Sequence, residues 1–456
     1  MLDRASPRII RPCAARTRWR DVVQEGGGSK MSNFVIHGGR PIKGHVRVSG
    51  NKNATLPMIA AALLTDEEVV LENVPAIRDV ESMLEIAKYL GAEVTREQST
   101  VRIRAREIVT HEIPWELCEK NRTSFLFVAP LLHRVAEAQV HPPGGDMIGR
   151  RRLDAHFYGF EKLGCRVDPD SYKLVAPRGM RGSVMFFDEA SVTATEHILM
   201  AAVLAEGVSE IRNAASEPHV QDLAALLVEM GAEISGIGTN TLFVTGVAKL
   251  HGTTHRIEGD HIEAGSFLAL AAALGGDIVV EGIRGSHYWM IHRLFERFGI
   301  ELEIGSDSIY LAGDQVPRIR QDVGGKTPRV DDGPWPQFPS DLMSSMLVLA
   351  TQTHGSVLFF EKLFESRMYF VDPLIQMGAN IIVCDPHRVV ISGKTPLVGQ
   401  TVRSPDIRAG MALIIAALCA TQRPSVVQNA EIIDRGYENI VGKLTALGAS
   451  IERVDD

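Results

Sequence analysis

Paired cysteines, long apolar runs and a net positive charge are all missing from this sequence. Five cysteines are spread over 456 residues without a CxxC spacing, so neither a zinc site nor a disulfide framework is indicated. They are Cys13, Cys118, Cys165, Cys384 and Cys419. Because unpaired cysteines are typical of a reducing compartment, we expect a cytoplasmic protein.

The missing features also exclude classes of partner. Apolar runs such as Ile59–Leu64 and Met411–Ala420 are too short to span a bilayer, so we expect no membrane association. A formal net charge of −8 disfavours a general nucleic-acid binder. Any anion site must therefore come from a local group of basic side chains.

The first thirty residues differ from the remainder of the chain, because they are rich in arginine and end in Gly26-Gly27-Gly28-Ser29-Lys30. An Arg-rich, acid-poor start is compatible with a transit peptide. We favour a disordered extension over residues 1–30, because a clear strand pattern opens at Met31.

One short motif occurs six times. A helix-ending glycine lies between an apolar residue and a strand, as in Leu90-Gly91-Ala92 and Met230-Gly231-Ala232. The six glycines are Gly91, Gly164, Gly231, Gly299, Gly378 and Gly448, at spacings of 67 to 79 residues. A glycine at this position predicts a left-handed residue that ends an amphipathic helix.

An alanine-rich helix is predicted about half a unit before each glycine. Small apolar residues on several faces indicate a helix that is buried on all sides. The six helices are predicted at Leu56–Leu64, Ser124–Leu132, Glu196–Ala205, Ser266–Leu274, Asp341–Thr351 and Ile407–Ala420. The unit is therefore β-α-β-α-β-β, an α/β fold of six units in two domains that divide near Asp260–Glu263.

The basic candidates lie in glycine-containing turns or at predicted helix starts. In Pro142–Arg152, three glycines surround Asp146, and Arg150, Arg151 and Arg152 follow. Such a loop can close over an anionic substrate, although a surface turn has the same composition. The other basic candidates, which we expect to meet in one inter-domain cleft, are Lys52, Arg122, Arg367, Arg408 and Arg435.

From about Asn33 to Val454 the sequence resembles the UDP-N-acetylglucosamine enolpyruvyl transferases (UDP-N-acetylglucosamine 1-carboxyvinyltransferases). The resemblance depends on six motifs together. They are Gly50-Asn51-Lys52-Asn53, the Pro-Gly-Gly-Asp loop ending at Arg151, Leu153-Asp154-Ala155-His156, Phe338-Pro339-Ser340-Asp341, Phe364-Glu365-Ser366-Arg367 and Asp434-Arg435-Gly436-Tyr437.

The resemblance implies two inside-out α/β barrel domains of three units each. Residues 31–51 and 262–456 would form a discontinuous C-terminal domain, and residues 52–261 an N-terminal domain that carries the loop. The implied reaction moves the enolpyruvyl group of phosphoenolpyruvate to the 3-hydroxyl of UDP-N-acetylglucosamine and releases phosphate, the first committed step of peptidoglycan precursor synthesis. It needs no metal or organic cofactor, and protein partners are not indicated.

The family's functional residues are carried over to matching positions. Asp146, Lys52, Asp341 and Arg435 are the implied catalytic residues, with Asp341 as the base. Phosphoenolpyruvate would contact Lys52, Arg122, Arg151, Arg408 and Arg435. UDP-N-acetylglucosamine would contact Asn53, Arg122, Arg151, Arg152, Leu153, Asp154, Ser191, Asp341 and Leu363.

This chain departs from the common family pattern at several positions. Asp146 replaces a cysteine, and the other departures are Arg152, Glu189, Thr193, Trp335 and Ile432. The departures on the nucleotide side leave open the same chemistry on a different nucleotide or sugar. A nucleic-acid-end-binding repeat protein is a further alternative, but the sequence shows neither the basic surface nor the triphosphate site that it would need.

Asp146 is expected to act as the acid or product-release group only when the loop is closed. An aspartic acid with a pKa of about 3.9 is only about 0.1% protonated near neutrality, a deficit of roughly 4 kcal/mol compared with a thiol. Desolvation and substrate anions would have to raise that pKa. We expect Asp146→Asn to lose most turnover in steady-state assays, and near-normal turnover would show that Asp146 only shapes the loop.

Because Asp146 replaces the loop cysteine of the family, we expect no alkylation of the loop by fosfomycin. Fosfomycin, an epoxide, alkylates the loop cysteine of the family, and Asp146 offers no thiolate. We expect intact-protein mass spectrometry after incubation with fosfomycin to show an unmodified chain. An adduct on the loop would contradict this prediction.

Overall fold

A computed structural model describes residues 32–145, 148–149 and 152–455. The predicted N-terminal extension and two predicted site residues, Asp146 and Arg151, lie outside the described residues.

The described residues form six separate sheets. Their strands are β1 (Ser32–His37), β2 (Lys43–Arg47), β3 (Glu68–Glu72), β4 (Glu93–Glu97), β5 (Thr100–Arg104), β6 (Glu137–Gln139), β7 (Arg166–Asp168), β8 (Lys173–Val175), β9 (Val184–Phe186), β10 (Val208–Arg212), β11 (Glu233–Ser235), β12 (Thr241–Thr245), β13 (Thr254–Arg256), β14 (Asp277–Glu281), β15 (Glu303–Ile304), β16 (Ser308–Leu311), β17 (Arg329–Asp331), β18 (Gly355–Phe360), β19 (Ile381–Asp385), β20 (Arg388–Gly393), β21 (Thr401–Arg403), β22 (Ser425–Gln428) and β23 (Ser450–Asp455).

Helices cover these sheets. The α-helices are α1 (Lys52–Ala61), α2 (Arg78–Tyr89), α3 (Trp115–Cys118), α4 (Val128–Val135), α5 (Asp154–Lys162), α6 (Val192–Ala202), α7 (Pro218–Glu229), α8 (His261–Leu274), α9 (Trp289–Arg297), α10 (Ser340–Thr351), α11 (Val371–Gln376), α12 (Ile407–Cys419) and α13 (Ile440–Ala446). Short 3-10 helices occur at Ala62–Leu64, Arg122–Phe127, Gly285–His287, Arg367–Phe370 and Ala430–Arg435.

Each sheet corresponds to one predicted unit. In order across the sheet they are β13-β3-β5-β4, β6-β8-β7, β9-β10-β12-β11, β2-β14-β16-β15, β17-β18-β20-β19 and β21-β22-β1-β23. In the four-stranded sheets one edge strand pairs in parallel with its neighbour, as β9 does with β10, and the other pairs are antiparallel. The described strands form no closed barrel, but the predicted α/β class with six repeated units is confirmed.

The repeated glycine has the predicted conformation in every unit. All six have positive φ angles, from 70° at Gly299 to 108° at Gly91. This left-handed region is open to glycine without the steric cost that a Cβ brings. The glycine therefore stops each outer helix and turns the chain into the next strand.

The alanine-rich helices are buried, as predicted. In α8 every residue from His261 to Ala272 is buried, and α12 is buried along its whole length. The buried apolar side chains form two clusters, one drawn from residues 34–48 and 262–451 and the other from 54–257. We propose that these clusters are the cores of the two predicted domains, with the predicted boundaries.

The two clusters exchange one strand each. Strand β2 leads into α1 but pairs with β14, which follows α8. Strand β13 leads into α8 but pairs with β3, which follows α1. The chain therefore crosses between the two halves twice. The two crossing segments, which we call the passages, form an antiparallel β-bridge between Gly50 and Gly259.

Both passages end directly in helix caps. Asn51 caps α1 and Asp260 caps α8 through their side-chain oxygens. The backbone N–H of Lys52 also donates to Asp260 Oδ2 at 3.2 Å. The starts of α1 and α8 are thus held side by side, which fixes the position of Lys52.

We expect Gly50→Ala to destabilise the protein strongly, because a Cβ there would lie 1.7 Å from the carbonyl oxygen of Asn73. Such a clash forces backbone movement and costs about 3 kcal/mol or more. Urea unfolding of the full chain, followed by far-UV circular dichroism, measures the loss. Gly164→Ala is the control, since its Cβ has nothing within 4 Å, and the left-handed backbone alone costs about 1 kcal/mol. Equal losses in the two variants would contradict the close packing of the passages.

Candidate active site

The first residues of six helices line one cavity between the two halves. The cavity has a volume of ≈ 250 Å³. These residues are Lys52 in α1, Arg122 in the 3-10 turn before α4, Val192 in α6, His261 in α8, Ser340 in α10 and Ile407 in α12. Helix N-termini carry a partial positive charge, so six of them together favour a negatively charged ligand.

A buried carboxylate joins two of the cations in this cavity. Asp79, the second residue of α2, lies 2.7 Å from Lys52 Nζ and accepts from Arg435 Nε at 2.9 Å. Burial raises the pKa of Asp79, but Lys52 and Arg435 outweigh burial and hold that pKa below its ordinary value. Asp79 is therefore charged and fixes the spacing of Lys52 and Arg435.

Asp341 plays the same part on the other side of the cavity. Its Oδ1 accepts from Arg367 Nη2 at 2.9 Å, and its Oδ2 accepts from Arg408 Nε at 3.0 Å. Burial raises the pKa of Asp341, but Arg408 and Arg367 outweigh it and hold the pKa far below the usual range. In this arrangement Asp341 is a weak base.

The two arginines keep spare donors. Nε and Nη1 of Arg367 and Nη1 of Arg408 are buried, and they have no hydrogen-bond partner among the described residues. Leaving charged donors without a partner is costly. An anionic group in the cavity would supply the acceptors for these donors.

Most of the predicted site residues come together in the structure. Lys52, Asn53, Arg122, Asp341, Leu363, Arg408 and Arg435 all line the cavity. Arg152, Leu153 and Asp154 line an adjoining hollow that shares Arg122 with the cavity and contains Tyr158 and Tyr172. Arg122 Nη2 donates to the carbonyl of Arg152 at 3.0 Å, which joins the two spaces.

Ser191 and the remaining departures lie in different environments. Ser191 caps α6 and accepts from Ala194 N. Thr193 and Trp335 line the cavity. Glu189 is exposed, whereas Ile432 packs against the C-terminal core.

Sequence reasoning missed several residues that line the cavity. Asp79 was missed because an acidic residue in the first turn of a helix is common as a favourable dipole contact. Glu196, Glu217 and His219 also line the cavity; Glu196 and His219 are buried and Glu217 is half-buried. Burial raises the pKa of both Glu196 and Glu217.

The chain is similar to known proteins over nearly its whole length, and these similarities show its family. The sequence profile of the family described as EPSP synthase (3-phosphoshikimate 1-carboxyvinyltransferase) matches residues 36–444. A UDP-N-acetylglucosamine 1-carboxyvinyltransferase of Borreliella burgdorferi is 50% identical over 425 residues, 93% of this chain and 99% of the relative. One from Bradyrhizobium diazoefficiens is 49% identical, over 93% of this chain and 98% of the relative. This chain belongs to the UDP-N-acetylglucosamine 1-carboxyvinyltransferase family.

Solved structures agree with the fold of this family. The enolpyruvyl transferase NikO from Streptomyces tendae superposes with a TM-score of 0.82 at 21% identity, covering 94% of this chain and all of that one. An EPSP synthase from Acinetobacter baumannii gives 0.72 at 16% identity, covering 93% of this chain and all of that one. At these identities the likeness shows the enolpyruvyl transferase fold alone.

Two further observations concern metals and membranes. The described residues contain no group of three or more histidine, cysteine, aspartate or glutamate side chains that could hold a metal ion. None of the helices in the described ranges is long and apolar enough to cross a bilayer.

We expect inorganic phosphate to stabilise the protein, because it would bind the cations and helix N-termini of the cavity. A ligand at a hundredfold excess over its Kd adds about 2.7 kcal/mol to the free energy of unfolding. Thermal unfolding with and without phosphate, at constant ionic strength, measures the gain. The gain should shrink in Lys52→Met and persist in Arg453→Met, since Arg453 pairs with Asp434 away from the cavity. An undiminished gain in Lys52→Met would contradict the cavity as the phosphate site.

Proposed function

We propose that this protein transfers the enolpyruvyl group of phosphoenolpyruvate to the 3-hydroxyl of UDP-N-acetylglucosamine and releases phosphate. One observation of the structure carries the proposal. Lys52, Arg435, Arg367 and Arg408 surround a cavity that also receives six helix N-termini. A substrate with a phosphate and a carboxylate matches that distribution of positive charge.

The reaction is an addition followed by an elimination. The acceptor oxygen bonds to C2 of phosphoenolpyruvate, the hydroxyl proton leaves to a base, and an acid protonates C3. The resulting tetrahedral ketal loses a proton from C3 and breaks the bond between C2 and the phosphate oxygen. Because the phosphate and carboxylate remain anionic throughout, fixed cations stabilise every step without moving.

In our proposal the cations of the site bind phosphoenolpyruvate. Lys52, Arg122, Arg408 and Arg435 hold phosphoenolpyruvate, together with Arg151. The positions of Lys52 and Arg435 are fixed before the substrate binds, because Asp79 pairs with both. A preorganised site avoids the cost of reorienting charged side chains during the reaction.

The acceptor would extend from the cavity into the adjoining hollow. Asn53, Asp341 and Leu363 line the cavity and in this proposal would contact the sugar. Arg152, Leu153 and Asp154, beside the aromatic rings of Tyr158 and Tyr172, form a space suited to a planar base. Ser191 and the start of α6 lie where a diphosphate would meet a helix N-terminus.

Asp341 can serve as a base only if the anionic groups of the substrate offset the positive charge of its two arginines. While Arg367 and Arg408 pair with it, the carboxylate has little affinity for a proton. Substrate anions compete for the same guanidinium groups and would accept from their spare donors. We therefore propose that substrate binding raises the basicity of Asp341, and that Asp146 supplies or removes the C3 proton.

The relatives, at up to 50% identity, are all UDP-N-acetylglucosamine 1-carboxyvinyltransferases, which does not favour a reaction on a different acceptor. Peptidoglycan precursor synthesis is the proposed role, and the cytoplasmic location stays a prediction.

A phosphate-release assay with phosphoenolpyruvate and a set of acceptors tests the proposal. We expect release with UDP-N-acetylglucosamine, and mass spectrometry should show the enolpyruvyl ether of the nucleotide sugar. UDP-glucose, which lacks the acetamido group, should react much more slowly. Release with another nucleotide sugar but not with UDP-N-acetylglucosamine would overturn the assignment of the acceptor.

Asp341→Asn should lower kcat by about 10² to 10⁴, the usual contribution of a general base. Asp385→Asn is the matched control, because Asp385 pairs with Arg388 at a surface turn and should leave kcat unchanged. The measurement is steady-state phosphate release at saturating substrates. If both variants keep the wild-type kcat, Asp341 is not the base.

A further inference from the structure

Two buried carboxyl groups lie behind the wall of the cavity that carries Leu363 and Arg367. Asp332 follows β17 and Glu361 follows β18, and these strands pair in parallel with Asp331 opposite Phe360. The next residue on each strand is therefore brought beside its counterpart. Both residues are fully buried, at 0% exposure.

The pair accepts hydrogen bonds from the loop that enters the cavity. Asp332 accepts from the backbone N–H of Lys362. Glu361 accepts from Phe364 N at 3.1 Å, and Leu363 N donates to both carboxyl groups. Three consecutive N–H groups are thus held by two side chains.

The same pair reaches the start of α10. Ser340, the residue before Asp341, donates to Glu361 at 2.9 Å. Arg367 Nε lies 3.9 Å from Glu361 Oε2, and Arg367 Nη2 donates to Asp341. The buried pair of Asp332 and Glu361 therefore positions Leu363 directly, Arg367 through a charge contact and Asp341 through its neighbour Ser340.

Two adjacent buried carboxylates cannot both remain charged. Burial and, after it, the neighbouring Asp332 raise the pKa of Glu361 to about 9, although Arg367 and Ser340 act in the opposite direction. Near neutrality Glu361 therefore carries a proton next to the carboxyl group of Asp332.

The other charged groups nearby are already paired. Asp331 pairs with Arg329 and with Lys362. His387 Nδ1 contacts the backbone carbonyl of Glu361 at 2.8 Å, not its carboxyl group. Arg367 is thus the cation that faces the pair most directly, and Asp341 already accepts from it.

We propose that Asp332 and Glu361 are positioning residues that share one proton and thereby hold Leu363, Phe364 and Arg367 against the acceptor. The inference rests on the proposed function, because it assigns that wall to acceptor binding. Loss of the shared proton places two charges side by side in a dry site, and their repulsion displaces the loop.

The proton gives a defined dependence on pH. Above about pH 9 the singly protonated pair declines, up to tenfold per pH unit, and the KM for the acceptor should rise in proportion. The raised pKa of Glu361 also makes the stability of the fold depend on pH. The folded state holds a proton that the unfolded state releases above its ordinary pKa of about 4.5, so this pair lowers stability as pH rises from about 4.5 to about 9.

The Asp332→Asn variant distinguishes a shared proton from a purely structural role of Asp332. The amide oxygen can still accept from Lys362 N, and the amide N–H gives Glu361 a permanent donor in place of the proton. We expect activity at pH 7 within about threefold of wild type, and an acceptor KM that no longer rises above pH 9. Glu361→Gln should likewise remove the alkaline rise, so either variant that folds is sufficient.

Asp331→Asn is the matched control, because it makes the same change one residue away, in the surface ion pairs with Arg329 and Lys362. It should keep the alkaline rise of the wild type. A rise in acceptor KM that is unchanged in both Asp332→Asn and Glu361→Gln would overturn the proposal.

A second readout does not depend on the reaction. The unfolding midpoint of the wild type should fall between pH 5 and pH 9 more steeply than that of Asp332→Asn. Equal slopes would refute the shared proton even if UDP-N-acetylglucosamine proved not to be the acceptor. Absence of phosphate release with unequal slopes would instead overturn the proposed function and leave the proton-sharing pair standing.

Discussion

Concentrated positive charge at the junction of two domains is the constraint on which the remainder of this structure depends. Six helix N-termini and the side chains of Lys52, Arg367, Arg408 and Arg435 meet in one cavity. Like charges at such short range repel, and burial strengthens the repulsion. The arrangement is stable because Asp79 and Asp341 each join two of the cations.

The two carboxylates also explain how the site is held ready for its substrate. Each carboxylate pairs with two cations that belong to different elements. Displacing any of these four cations breaks a buried ion pair, which costs about 3–5 kcal/mol. Asp79 belongs to the N-terminal half and Arg435 to the C-terminal half. The contact that orders the charges is therefore also a contact between the halves, and binding and domain arrangement are linked.

The fold supplies the geometry for this charge cluster through repetition. Each unit places an inner helix with its N-terminus at the same end, and two groups of three units face one another. The paired passages at Gly50 and Gly259 lead directly into α1 and α8. The close approach of those passages sets the distance between two of the six helix starts, and with it the position of Lys52.

Features that depend on local patterns can be predicted from the chain alone. Alanine-rich helices, left-handed glycines such as Gly91 and the basic residues before helix starts could be read from the chain, because periodicity, backbone sterics and capping act over a few residues. These patterns predicted six units, the α/β fold and five basic residues that line the cavity, which are Lys52, Arg122, Arg367, Arg408 and Arg435. The pairing of the charged groups, in contrast, follows from long-range contacts in the folded protein. Asp79 and Arg435 are 356 residues apart, and Asp332 meets Glu361 only because two strands pair in parallel. Burial and pairing depend on contacts between distant segments, so the charge state of each carboxyl group is a property of the folded protein.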